Sequence, residues 1–115
     1  MKRSHLLLLS ILGAAAPAAH ADDFPTSSRV EYVLECMQKH ESKGEYLYKC
    51  SCVIDYIAKA MTHDDYLAMS TSLRNQTMAG ERGAVFRDPP QVKEMAGKYK
   101  TIQADANKAC YVPQR

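Results

Sequence analysis

Cys36, Cys50, Cys52 and Cys110 constrain this chain of 115 residues more tightly than any other feature. Residues two apart on a helix point about 200° away from each other, so Cys50 and Cys52 must reach different neighbours. A helix stapled on two sides satisfies that geometry. Four cysteines allow three connectivities, and a direct Cys50–Cys52 bond closes a strained ring. Cys36 with Cys50, leaving Cys52 for Cys110, joins apolar helix faces across a tight turn. The exchange of partners, Cys36 with Cys52 and Cys50 with Cys110, stays open beside it.

The N-terminus places these cysteines in an oxidising compartment. Lys2 and Arg3 precede an apolar run from Leu6 to Leu12, and Ala19-His20-Ala21 offers the small residues of a cleavage site. Residues 1–21 read as a signal peptide cut after Ala21, and 22–115 as one exported helical domain. The run is shorter than the ~20 residues of a membrane span, and no lipid-acceptor cysteine lies near the cut. We expect a periplasmic protein without a membrane anchor. Without Lys2 and Arg3 the chain carries thirteen basic against thirteen acidic residues, which is no footprint for nucleic acid. A 94-residue domain draws limited stability from packing alone, and two disulfides of about 2–4 kcal/mol each supplement it.

Apolar periodicity predicts four helices. Ser28 and Glu31 fit a capping box for a helix running to about Ser42, with Val30, Val33, Cys36, Met37 and His40 on one face. Lys43-Gly44 breaks it. Tyr46, Leu47, Cys50, Val53, Ile54, Ile57 and Met61 then form one broad stripe. Thr62 and Asp65 start a third helix reaching Met78, lined by Tyr66, Met69 and Leu73. Asp88-Pro89-Pro90 starts a fourth, which runs to Cys110 with Val92, Tyr99 and Ala106 on one line. The predicted fold is all-α: a disulfide-stapled four-helix bundle with a longer loop, Gly80 to Asp88, between helices three and four.

That loop supplies the candidate contact residues. Arg82 and Arg87 offer planar forks for a carboxylate and Phe86 an aromatic anchor, a set suited to docking another protein. The plainer alternative tucks Phe86 and Val85 over the bundle end. Cys50-Ser51-Cys52 could instead serve thiol–disulfide exchange, helped by Lys49, or hold Cu(I) with Met37, Met61, His40 or His63. Both need free thiols where disulfides are the ordinary state. His63-Asp64-Asp65 is more simply a helix start placed to suit the dipole than a metal or acid/base cluster. No nucleophile elbow, phosphate loop or zinc-protease motif is present, so no catalytic residue, metal or cofactor is assigned.

The segment from Tyr48 to Asp65, containing Cys50-Ser51-Cys52-Val53-Ile54-Asp55, together with Gly80 to Asp88, resembles small uncharacterised exported proteins associated with bacterial quinoprotein alcohol oxidation. The resemblance spans most of the exported chain and implies an accessory role, with a quinoprotein dehydrogenase or its cytochrome as partner. The general build also resembles small helical periplasmic proteins of the acid-stress chaperone kind, which carry one disulfide where this chain has cysteines for two. The functional expectation is a non-catalytic, protein-binding accessory domain.

Overall fold

A computed structural model describes residues 22–76, 78–87 and 89–114. The expected signal, residues 1–21, and the expected cap Asp88 lie outside them. The described residues form, in order, α1 Thr26–Lys39, α2 Glu45–Ala60, α3 His63–Asn75, α4 Glu81–Arg87 and α5 Pro90–Ala109. The described residues contain no strand.

The centre of the fold is α2. Cys50, Val53, Ile54 and Ile57 are its most buried side chains, set at the spacing of a single apolar stripe. Both α1 and α5 pack on it, α3 packs on α5, and α4 bridges α3 and α5. Phe24, Tyr32, Val33, Tyr66, Met69, Tyr99, Ala106 and Val112 complete one contiguous core, with Met37, Met61 and Leu73 partly buried against it.

Helix ends differ from the sequence expectation where tertiary contacts intervene. Pro25 occupies the N-cap of α1, so the helix starts at Thr26 and not after Ser28. Ser28 does not cap; its hydroxyl sits 2.8 Å from His63 Nε2. At the other end α1 stops at Lys39, three residues early. His40 is its C-cap, and the Ser42 N–H donates back to the Met37 carbonyl across left-handed Glu41 (φ 58°). Ser42 is left-handed too, at φ 53°, whereas Gly44 has an ordinary φ of −58°. The turn that glycine was expected to make is made by two residues carrying side chains. The same six-residue closure ends α5: Val112 N–H reaches the Asn107 carbonyl around Tyr111 at φ 57°.

The start of α3 matches its sequence signal. Thr62 Oγ1 accepts from the Asp65 N–H at 3.2 Å, while the Asp23 carboxylate accepts the His63 N–H at 3.1 Å, so the lead-in also caps this helix. Pro89 takes the N-cap of α5, with Pro90 in its first turn as expected. The expected loop between helices three and four is corrected. Most of it is the short helix α4, whose Phe86 carbonyl accepts from Ser72 Oγ at 3.0 Å and Gln76 Nε2 at 3.3 Å. Ser72 of α3 and Gln76 at its C-cap thus satisfy a terminal carbonyl of α4, and Gly83 is buried. The described residues therefore form five helices.

Candidate functional site

In this fold the Cys-Ser-Cys segment takes part in two disulfides. Cys36 bonds Cys50 and Cys52 bonds Cys110, closing 14 and 58 residues. Cys50 and Cys52 are thus bonded to different helices, with Cys50 fully buried and Cys52 at the surface. Thiol exchange here would open a bridge between helices. All four sulfurs are in disulfides. Among the described residues no three His, Cys, Asp or Glu side chains gather at one point.

The other residues of the copper reading are spread through the fold. Met37 and Met61 pack against the core. His40 stacks on Tyr46 with ring centroids 4.1 Å apart and planes nearly parallel. His63 lies edge-on to Phe24 at 5.1 Å and bonds Ser28, joining the lead-in, α1 and α3. Around this contact Tyr32, Tyr66 and Tyr99 form a buried aromatic column. Burial pushes all three phenols up, Tyr66 to about 12. These tyrosines build the interior.

The expected contact residues lie on α4. Arg82 is exposed and Phe86 half-buried, with Val85 the more exposed apolar residue of the pair at 67%. The side chain of Arg87 lies outside the described residues. The structure keeps Arg82 and Phe86 on one short helix against α3 and α5.

A second surface stands out between α1 and α2. Val30 and Leu34, one turn apart on α1, face Leu47 on α2 across a groove of about 310 Å³ floored by Val33 and Ile54. Val30 is 50% exposed, Leu34 55% and Leu47 45%. The rim is electrostatically closed: Arg29 bonds both Asp22 and Asp55, and Ser51 Oγ donates to the Leu47 carbonyl at 2.6 Å. Nearby, Lys49 and Glu45 pair along α2 at 2.9 Å, which holds the exposed Glu45 carboxyl below its usual range. The groove therefore presents apolar surface with no unpaired charge among Arg29, Asp22 and Asp55.

Sequence reasoning placed Val30 and Leu47 inside the core and passed over Leu34. The signal was present in the width of the pattern. Val33, Cys36 and Met37 already give α1 an inward stripe, so Leu34 beside it falls on a flank that α2 does not cover. Leu47 likewise sits at the edge of the stripe centred on Cys50, Val53 and Ile57. Comparison with known proteins adds nothing to this geometry: no family model, no curated protein and no solved structure matches the chain.

Proposed function

We propose that this chain is an exported, non-catalytic accessory domain that acts by binding another protein in the α1/α2 groove. The observation that carries this reading is the half-exposed trio Val30, Leu34 and Leu47 on a helical hairpin held by the Cys36–Cys50 bridge. Contiguous exposed apolar side chains on a small domain mark contact surfaces, and a stapled pair of helices offers them in a fixed arrangement, so little ordering entropy opposes association. Because the rim charges are internally paired, the complementary surface is apolar.

In this reading α1, α2, α3 and α5 serve as the rods of a four-helix bundle and α4 as a strap, whose Arg82, Phe86 and Arg87 form a separate candidate contact. Two disulfides suit an oxidising compartment outside the cytoplasm, here the periplasm. Among the described residues no helix is long and apolar enough to cross a membrane. The partner implied by the sequence resemblance is a quinoprotein alcohol dehydrogenase or its cytochrome.

Photo-cross-linking in the living cell tests the reading. A photoreactive residue at position 34 or 47 should yield one heterologous adduct, and the same residue at exposed Thr101 should not. The Arg82→Ala, Phe86→Ala, Arg87→Ala variant should keep the adduct, while Val30→Glu should abolish it. Adducts between two copies of this chain, or equal adducts from all positions, overturn the proposal.

A further inference from the structure

The α1/α5 side of the molecule carries a cleft that protein binding at the α1/α2 groove does not use. Each helix packs on α2, and between them lies an open space of about 520 Å³. That volume lies within the range of small-molecule sites. Its two walls have the same construction. On α1, Tyr32, Glu35, Cys36 and Lys39 follow each other at i, i+3, i+4 and i+7; on α5, Lys100, Gln103, Ala104 and Asn107 repeat that spacing.

Facing stripes at this spacing in a helical bundle ordinarily carry leucines and isoleucines and close on one another. Here they carry a tyrosine, a glutamate, a disulfide-bonded cysteine, two lysines, two amides and one alanine. The only direct hydrogen bond between the two stripes among the described residues is a long one, Gln103 Nε2 to the Tyr32 hydroxyl at 3.5 Å. Beyond α5, Gln114 folds back to donate to the Ala104 carbonyl at 3.1 Å and closes one end of the cleft.

Among the described residues the charges in the cleft are not balanced. Glu35 is taken by Arg74 across its outer edge. Lys39 and Lys100 have no carboxylate partner among the described residues. At the end of α1, His40 lines the same space, is 8% exposed, and its Nδ1 is buried with no hydrogen-bond partner. Two exposed ammonium groups without a carboxylate partner among the described residues, with the amides of Gln103 and Asn107 between them along the walls, give the cleft a positive, hydrogen-bonding lining.

We infer that the α1/α5 cleft binds a small organic oxyanion, whose charged group sits between Lys39 and Lys100 and whose body lies against Tyr32 and the tail at Val112 and Pro113. Lysines act as point charges and accept either a phosphoryl or a carboxylate group. The planar fork of Arg74 is engaged by Glu35.

The test is an NMR amide titration of the exported form with inorganic phosphate and, separately, with succinate at constant ionic strength. Saturable shifts confined to residues around Lys39, His40, Lys100 and Asn107 are expected with at least one probe. Saturation by phosphate alone identifies a phosphoryl ligand, and by succinate alone a carboxylate. Lys39→Gln and Lys100→Gln should each weaken binding about tenfold, the loss expected for one charge-assisted contact. Lys98→Gln, on another face of α5, should leave affinity unchanged. Ala104→Leu should block the cleft with every charge in place. Linear, non-saturating shifts with both probes, or equal weakening by Lys98→Gln, would overturn the inference.

Discussion

The two disulfides should differ in worth, and their loop lengths set the difference. Cys52–Cys110 closes 58 residues and Cys36–Cys50 closes 14. Closing a loop removes entropy from the unfolded chain in proportion to the logarithm of its length, which gives about 4 kcal/mol for the longer bridge and about 3 kcal/mol for the shorter. Substitution alone would blur this, because Cys50 is fully buried and its truncation also leaves a cavity. The clean comparison uses the Cys36→Ala, Cys50→Ala variant to isolate the long bridge and the Cys52→Ala, Cys110→Ala variant to isolate the short one. Each is unfolded in urea with and without reductant, so that only the covalent bond changes. Reduction should lower stability by about 1 kcal/mol more when it opens the long bridge, with a steeper denaturant slope because the released chain exposes more surface. Equal losses, or a larger loss for the short bridge, would refute a stabilisation that acts through the unfolded state.

Three further outcomes follow from the packing. Phe24→Ala should cost about 3 kcal/mol in urea unfolding, since Phe24 is buried against His63 and Tyr66 although it precedes the first helix. Thr62→Ala and Asp23→Ala should each cost about 1 kcal/mol and together about twice that, because they satisfy different N–H groups at the start of α3. Above about pH 10 stability should fall steadily toward pH 12: Tyr66 ionises in the unfolded chain at its ordinary value but in the folded chain only near 12, so its contribution is complete below 10 and lost as pH rises through 12. Urea midpoints measured across that window should fall less steeply for Tyr66→Phe, and an identical slope would contradict this.

The helices α2 and α5 were legible because each carries a long apolar line whose inward residues, Val53, Ile54 and Ile57 or Tyr99, Ala106 and Cys110, are buried where the period places them. The cap at Thr62 was legible because it acts within three residues. Ser28 was misread because its hydroxyl serves His63, a partner 35 residues away that local pattern cannot reveal. The helix α4 was hidden by its glycines: Gly80 does adopt φ 75°, but Gly83 is buried within a turn of helix that Ser72 and Gln76 cap from α3. The two surfaces were harder still. A flank residue such as Leu34 and a polar stripe such as Lys100, Gln103, Ala104 and Asn107 both look like ordinary solvent-facing positions until the neighbouring helix is seen to leave them uncovered.

Separate disulfides bolt α2 to α1 and to the end of α5. Non-reducing peptide mapping by mass spectrometry, with backbone fragmentation between Cys50 and Cys52 to separate two cysteines that one proteolytic peptide holds together, reads this directly. We expect Cys50 joined to a peptide containing Cys36 and Cys52 to one containing Cys110. Cys50 joined to Cys110, or either residue recovered as a free thiol from the exported protein, would contradict the arrangement on which both proposed surfaces depend.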